Sequence, residues 1–285
     1  MKKVWLVEKY IFSDYEKELA DTIKGYGFDC HVFDDTDRNF DFNKTIKNKY
    51  NENDCVIFYG SLQVGRQIYN RTNLIPGVFL NIDNYDCNKY YGYYGNELVN
   101  NDYLFFGLND IKRNINKIFE YFKTTNIFIR PSNGYKSFTG QLISKDNFNS
   151  EFEILCKSYG GLDLNQLVLV SSQKKILEES RFIIFNKNNK NEIIDGNKYM
   201  INGELVKNRI LDQKALEYVH KIKDMYTPDK AFTIDIARLE DNTYKILEIG
   251  SFCCASWYNA DIDKIVKETN NLIIEEYNDY WNLSK

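Results

Sequence analysis

The sequence is poor in proline and histidine, with three prolines and two histidines among 285 residues. His31 and His220 give little basis for a histidine-based hydrolase, and no motif supports one. The six cysteines form no C-x-x-C pair, so neither a zinc site nor a thioredoxin-type motif is indicated. We therefore expect a reduced, cytoplasmic protein in which the adjacent Cys253 and Cys254 are small buried residues.

Long apolar runs and a basic excess are also absent. The apolar run that begins at Val4 ends at Glu8, which is too short for a signal peptide or for the roughly 20 apolar residues of a membrane span. The net charge is −4, whereas proteins that bind nucleic acid or membrane surfaces usually carry a basic excess. With 43% hydrophobic and 27% charged residues, the composition is that of a soluble globular protein, and we predict neither nucleic acid nor membrane as a partner.

The first third of the chain alternates short apolar segments with helical patterns, which predicts an α/β unit with a parallel, Rossmann-like sheet. Ser13 is a candidate cap for a helix over residues 14–24, and Glu16 would complete a capping box. The stretch 81–110 is rich in Tyr, Asn and Gly and has little periodicity, so we predict an irregular connection there. The predicted strands cover residues 3–7, 28–33, 54–59 and 77–80.

The pattern changes near Thr124, which predicts one domain over residues 1–123 and a second over residues 124–285. In the second domain, apolar strands are separated by tight polar turns, and helices are few. Antiparallel strands with helices to one side predict an α+β domain. The predicted strands cover residues 126–131, 138–143, 167–171, 181–186, 192–195, 199–206, 231–239 and 243–250, and the predicted helices cover residues 150–159, 211–225 and 262–278.

The last two predicted strands each carry an acidic residue, Asp235 and Glu248, within an apolar segment. A polar turn separates the strands, and a two-residue loop would make Glu240 face Thr243. Counting back along both strands then sets Asp235 opposite Glu248 on one face of the sheet. Opposed carboxylates repel each other, and a magnesium ion would remove the conflict. A shared proton or a nearby Lys or Arg would also remove it, and a one-residue register error would separate the pair.

Two further polar clusters lie at predicted strand ends. Arg130 ends one strand, a glycine-containing turn follows, and Lys136 enters the next strand. Arginine offers a planar fork and lysine a point charge, and both suit phosphate, although basic residues at strand ends are usually just solvated. The segment 171–182 leaves a buried strand, exposes polar residues and returns to a strand, which makes either the wall of a crevice or a simple exposed connection.

In this order and spacing the three clusters resemble the ATP-grasp superfamily, in particular its phage and bacterial clade named for one arginine and two lysines. The resemblance covers most of residues 126–261, and the N-terminal unit resembles the partner domain that precedes many ATP-grasp domains. It implies a Rossmann-like pre-ATP-grasp unit followed by an α+β ATP-grasp domain. The residues that carry the resemblance are Ile129-Arg130-Pro131 with Lys136, then Glu179-Ser180-Arg181-Phe182, then Asp235 and Glu248, and the stretch 247–261.

The resemblance implies a role for each of these residues. ATP would lie between two α+β lobes, with Mg²⁺ bound by Asp235 and Glu248. The implied catalytic residues are Arg130 and Lys136, which would hold phosphates, and Arg181, which would line the phosphate or substrate side. Contacts to the adenine and ribose would come from Gln173, Lys174, Lys175, Ile176 and Glu179.

Most ATP-grasp enzymes activate a carboxylate as an acyl phosphate, which an amine then attacks. The resemblance therefore implies an ADP-forming carboxylate–amine ligase that acts on a small molecule or a peptide, with a substrate pocket between the N-terminal unit and residues 199–209. A phosphotransferase and a nucleotide-binding regulator without turnover are the alternatives. One departure matters: many members carry Asn two residues after the metal-binding Glu, where this chain has Gly250, so Ser251 or water would have to replace a magnesium ligand.

Overall fold

The structure is a computed structural model that describes residues 1–12, 15–159 and 161–283. The predicted cap Ser13 and the neighbouring Asp14 lie outside the described residues. The helices are α1 Glu16–Gly25, α2 Leu62–Arg71, α3 Cys87–Tyr94, α4 Leu108–Phe122, α5 Phe148–Ser158, α6 Gln213–Ile222 and α7 Ile262–Leu283. The strands are β1 Lys3–Glu8, β2 Asp29–Phe33, β3 Cys55–Tyr59, β4 Ile75–Gly77, β5 Leu104–Gly107, β6 Asn126–Pro131, β7 Gln141–Ser144, β8 Leu167–Ser172, β9 Ile176–Lys187, β10 Lys190–Ile201, β11 Glu204–Leu205, β12 Ala231–Leu239 and β13 Tyr244–Ser251.

The N-terminal unit is built on a parallel four-stranded sheet in the order β2-β1-β3-β4. Strand β3 is buried along its whole length, as expected for a parallel strand covered on both faces. The C-terminal helix α7 covers part of this sheet, because Trp5 Nε1 donates to Asn270 Oδ1 at 2.9 Å and Ile265 and Ile273 belong to the same core. The predicted Rossmann-like unit is confirmed, and it includes the C-terminal helix of the chain.

Two antiparallel sheets follow the parallel one. The four-stranded sheet has the order β5-β8-β6-β7, and the five-stranded sheet has the order β11-β10-β9-β12-β13. Side chains of β9 alternate between two environments, as a strand requires: Phe182 and Ile184 pack under α6, whereas Ile183 and Phe185 join the core of the N-terminal unit. This arrangement confirms the predicted α+β region.

The predicted irregular connection over residues 81–110 is wrong, because it contains α3 and β5. Helix α3 is buried against the five-stranded sheet, and Tyr90, Tyr91 and Tyr94 are each 1% exposed. A tyrosine side chain combines an apolar ring with a polar hydroxyl. A helix built from tyrosines therefore shows little apolar periodicity in sequence, although its rings pack as a hydrophobic core.

The predicted domain boundary near Thr124 falls between α4 and β6. Helix α4 packs on the four-stranded sheet, where Ile111 and Phe119 share a core with Ile127 and Val170. Strand β5 pairs with β8 in the same sheet. The division into residues 1–123 and 124–285 stays a prediction, and the sheet membership of β5 favours a division that precedes it.

The cysteines are all free thiols, in agreement with the sequence pattern. Cys253 is fully buried as predicted, whereas Cys254 is half-buried. No helix in the described part of the chain is long and apolar enough to cross a membrane.

Candidate functional site

A cleft of about 640 Å³ separates the five-stranded sheet from the four-stranded sheet. Strand β6 supplies Arg130, the loop after it supplies Lys136, and the five-stranded sheet supplies the acidic residues. The cleft therefore brings Arg130 into contact with Glu248, which lies 118 positions later in the sequence. Its charged lining residues are Arg130, Lys136, Lys174, Glu179, Arg181, Asp235 and Glu248, and its apolar lining includes Val99, Phe128, Phe138, Leu142, Ile176, Met200 and Leu247.

Asp235 lies directly opposite Glu248, as predicted, but the route to this register differs from the predicted one. Arg238 pairs with Tyr244, and the Leu239 N–H donates to the Thr243 carbonyl at 2.9 Å, so the loop is one residue longer than two. A β-bulge at Leu247 then adds one residue to β13 and restores the predicted pairing. The two errors in the loop and the strand cancel.

The bulge also decides which way Glu248 points. Ile246 and Ile249 both lie in the core beneath the five-stranded sheet, although a spacing of three would place them on opposite faces of a regular strand. With Leu247 as the extra residue, both isoleucines face the core and Glu248 faces the cleft. The spacing of the two isoleucines was the available sequence signal for this bulge.

Asp235 is already neutralised by an arginine from the neighbouring strand. Arg181 pairs with Asp235 across β9 and β12, and its Nε and Nη2 donate to the two carboxylate oxygens at 2.7 and 2.6 Å. The side chains are 10% and 2% exposed. The remaining Arg181 Nη1 donates to the Ser256 carbonyl at 3.0 Å. Arg181 is therefore fixed on the floor of the cleft by a two-pronged ion pair.

Glu248 has two different cationic partners at the rim of the cleft. Arg130 Nη2 donates to its Oε2 at 3.1 Å and Lys136 Nζ donates to its Oε1 at 3.1 Å. Burial alone would raise the pKa of Glu248, but Lys136, Arg130 and Arg181 outweigh burial and lower the pKa to about 2. Of the ways to relieve the repulsion between the two carboxylates, the structure shows nearby arginine and lysine side chains, and the magnesium-ligand role of Asp235 and Glu248 stays a prediction.

The loop that carries Lys136 is held by the segment that was predicted to be irregular. The Gly134 N–H donates to Asp86 Oδ1 at 2.6 Å, and the Cys87 N–H donates to the Ser132 carbonyl at 2.6 Å. A side chain at Gly134 would meet the Ile82 carbonyl oxygen at 2.7 Å, so only glycine fits there. Lys136 itself stays half exposed, with a side-chain exposure of 52%. The loop is anchored at its base while its lysine reaches into the cleft.

The predicted nucleotide hinge, residues 173–176, connects the four-stranded sheet to the five-stranded sheet. Lys174 and Ile176 line the cleft, and Lys174 Nζ is fixed by Asp102 Oδ1 at 2.8 Å. Gln173 and Lys175 are exposed and lie outside the cleft lining. The structure thus brings two of the four hinge residues to the cleft.

Tyr199, which begins the predicted substrate stretch 199–209, and Tyr258, in the stretch 247–261 that carries the resemblance, complete the cleft floor. The rings of Tyr199 and Tyr258 stack with their centroids 4.3 Å apart, and the Arg181 guanidinium lies 5.1 Å from the Tyr258 ring. The Tyr199 hydroxyl donates to Glu179, and burial raises the pKa of that carboxyl. Arg209, at the end of the predicted substrate stretch, instead pairs with Asp195 at 2.6 Å, and neither residue lines the cleft. The sequence assigned neither tyrosine an individual role, because their stacking joins residues about 60 positions apart.

Comparison with known families identifies the chain. A family model described as "ATP-grasp domain, R2K clade family 2" matches residues 110–268, which is more than half of the chain. The chain belongs to this ATP-grasp family, and the resemblance seen in its sequence is confirmed. Comparison with functionally curated proteins gives no match.

Solved structures of ATP-grasp ligases are similar in fold. The D-alanine-D-alanine ligase from Coxiella burnetii matches with a TM-score of 0.67 and 9% identity, over 99% of this chain and 98% of that one. D-cycloserine synthetase DcsG matches with a TM-score of 0.62 and 12% identity, over 95% and 99%. The N5-carboxyaminoimidazole synthetase from Staphylococcus aureus complexed with ADP matches with a TM-score of 0.61 and 13% identity, over 88% and 70%. At such identities the likeness shows the fold alone.

Proposed function

We propose that the protein is an ATP-dependent ligase that joins a carboxylate to an amine through an acyl phosphate and releases ADP. The observation that carries this proposal is the cleft of about 640 Å³ with Arg130, Lys136 and Glu248 in direct contact in its wall. The similarity in fold to a D-alanine-D-alanine ligase and to a D-cycloserine synthetase, over nearly the whole chain, supports it.

The nucleotide would lie along the cleft with its phosphates at Arg130 and Lys136. Lys136 is half exposed, so exchanging its contact with Glu248 for a phosphate oxygen costs little. Arg130 is 13% exposed and more firmly held, which suits it to fix one phosphate group. The adenine would lie toward Ile176 and Lys174, where the connection between the two sheets forms the cleft wall.

Bound magnesium would neutralise charge on the phosphates during transfer. Glu248 fits a ligand role, because its partner Lys136 can turn to the phosphates and free a carboxylate oxygen. Asp235 remains a proposed second ligand, but that role requires Arg181 to release one of its oxygens. Among the residues that the structure describes, no group of three or more Asp, Glu, His or Cys side chains is placed to hold a metal ion. Phosphate oxygens and water would therefore complete the shell.

The proposed reaction has two steps. A carboxylate oxygen of the substrate attacks the γ-phosphorus, and the bond from that phosphorus to the β,γ-bridging oxygen breaks, which releases ADP. The amine nitrogen then attacks the acyl carbon, the carbon–oxygen bond to phosphate breaks, and the nitrogen loses a proton. Arg130 and Lys136 would stabilise the charge on the transferred group, since fixed cations in a shielded cleft act more strongly than in water.

Nucleotide calorimetry and product analysis test the proposal. We expect the protein to bind ATP with magnesium and to form ADP and free phosphate when a carboxylate substrate and an amine are supplied together. Phosphate retained on the product would instead indicate a phosphotransferase, and nucleotide binding without ADP formation a regulator. Absence of ATP binding at millimolar ATP and magnesium would refute every one of these assignments.

A further inference from the structure

A second, smaller pocket of about 180 Å³ adjoins the cleft. This side pocket shares five lining residues with the cleft, so the two cavities meet at four charged side chains and one tyrosine. The N-terminal unit contributes Leu62 and Leu80 to its other walls, and the segment before α3 contributes Tyr85. Further lining residues come from the loop after β6, and from the end of β13 and the turn after it. The five shared residues are Arg130, Lys136, Arg181, Glu248 and Tyr258.

Two residues in the lining of the side pocket have a buried polar atom without a hydrogen-bond partner. Tyr85 is 7% exposed, and its buried hydroxyl has no hydrogen-bond partner among the described residues. In the same part of the structure, the buried Oδ1 of Asn133 also lacks a partner. An unpaired buried polar atom costs free energy, so two of them in the lining of one pocket point to a ligand that supplies the missing partners.

The wall of the pocket is kept open by a glycine. A Cβ built on Gly250 would meet one described atom within 4 Å, the Thr233 Oγ1 at 3.0 Å. A larger side chain at this position would therefore extend into the pocket rather than into the core. The space left at Gly250 is part of the ligand volume.

The volume limits the size of the ligand. A water molecule occupies about 30 Å³ in the liquid, so 180 Å³ corresponds to roughly six waters. This space suits a molecule of the size of a small amino acid or hydroxy acid. It is too small to enclose the several residues of a peptide terminus.

We propose that the side pocket binds the carboxylate substrate, and that this substrate is a compact acid with an amino or hydroxyl group that hydrogen-bonds to Tyr85 and Asn133. The proposal rests on the ligase function proposed above. The reacting carboxylate would lie toward Lys136 and Arg130, which also face the cleft where the γ-phosphate would be. The donor group at the other end of the molecule would satisfy Asn133 Oδ1, which can only accept a hydrogen bond.

A trapping assay with matched variants tests this proposal. The full chain is incubated with ATP, magnesium and hydroxylamine, together with single amino acids and 2-hydroxy acids in one panel and tripeptides in another. Hydroxylamine attacks the acyl carbon of an acyl phosphate and releases phosphate, which leaves a hydroxamate. We expect ADP and hydroxamate with a member of the first panel and none with the second.

Tyr85→Phe removes the unpaired hydroxyl and keeps the ring. We expect it to raise KM for the acid about tenfold while the Kd for ATP stays unchanged. Tyr94→Phe is the matched control, because Tyr94 also has a buried hydroxyl without a described partner but does not line the side pocket. Both variants should be at least as stable as the native protein, since each loses an unpaired buried polar group. Asn133→Ala, in the loop that carries Lys136, should also raise the KM for the acid. This variant provides a second test if Tyr85→Phe does not fold.

Three results would overturn the proposal. Turnover with tripeptides alone would show a ligase with a different carboxylate substrate, so the proposed function would survive and the side-pocket inference would not. Equal effects of Tyr85→Phe and Tyr94→Phe on KM would remove Tyr85 from the site. If ATP and magnesium bind but no acid of either panel yields ADP, the ligase function and the side-pocket inference both fail and a nucleotide-binding regulator is indicated, whereas ADP formed with tripeptides alone overturns only the inference.

Discussion

Asp235 and Glu248 face each other across one hairpin, yet they lie in two different environments. Asp235 is on the floor of the cleft, where Arg181 donates hydrogen bonds to both carboxylate oxygens and both side chains are almost fully buried. Glu248 is at the rim, where one of its partners, Lys136, is half exposed. Removing either partner of a buried bidentate pair strongly destabilises the fold. In a pair at the rim, the lysine can turn to a phosphate and the carboxylate can bind a metal ion at little cost. From this difference we propose that Asp235 chiefly positions Arg181 and that Glu248 takes part in ligand binding.

The largest expected effect comes from breaking the floor pair. Asp235→Asn leaves the buried Arg181 guanidinium without its counter-charge, and we expect the free energy of unfolding to fall by about 3–5 kcal/mol. Chemical denaturation measures this loss. A variant as stable as the native protein would show that the pair is not held as tightly as the geometry indicates.

Breaking the rim contacts should cost less. Lys136 is half exposed and can turn to water when Glu248→Gln removes its partner, whereas Arg181 is buried, so we expect a loss of only about 1–2 kcal/mol. The same variant should lose the magnesium-dependent part of ATP binding in calorimetry. A stability loss equal to that of Asp235→Asn, with ATP and magnesium binding intact, would erase the distinction between floor and rim.

The pH dependence of stability sharpens the comparison at the rim. The pKa of Glu248 is lowered to about 2 from an ordinary 4.5, so its ionised form stabilises the fold. That stabilisation is complete above pH 4.5 and is lost as the pH falls toward 2, because the unfolded chain takes up the proton first. Denaturation at a series of pH values should therefore show a smaller decline for Glu248→Gln than for the native protein in this window. Identical declines would place the pKa of Glu248 near its ordinary value.

The smallest effect on folding is expected at Lys136, which is 52% exposed. Lys136→Ala should change the unfolding free energy by less than about 1 kcal/mol and should weaken ATP binding about tenfold, or about 1.4 kcal/mol. Lys230→Ala is the control, because Lys230 also forms an ion pair, with Glu276 at 2.8 Å, and is 43% exposed, but lies outside the cleft lining. If both variants weaken ATP binding equally, the effect comes from net charge and not from the site.

The sequence predicted local pairs better than long-range ones. The facing of Asp235 and Glu248 follows from one hairpin, and it is correct although the loop and the bulge each shift the register by one residue. The Arg181–Asp235 pair could not be predicted in this way. It depends on the pairing of β9 with β12, which joins residues 54 positions apart.

Helix α3 escaped prediction for a different reason. Hydrophobic periodicity depends on the contrast between apolar and polar side chains, and the contrast is weak when the buried residues are Tyr90, Tyr91 and Tyr94. The helix and the turn before it nevertheless fix the base of the loop that carries Lys136. Part of the candidate site was therefore hidden in a segment that composition alone makes look irregular.

The stability of the native protein and of Glu248→Gln, each measured with and without ATP and magnesium, tests the central claim most directly. At 100 times its Kd, a ligand that binds the folded state adds about 2.7 kcal/mol to the free energy of unfolding. We predict a gain of this size for the native protein and, at the same ATP and magnesium concentrations, a clearly smaller gain for Glu248→Gln. An unchanged free energy of unfolding for the native protein at millimolar ATP and magnesium would contradict nucleotide binding in the cleft.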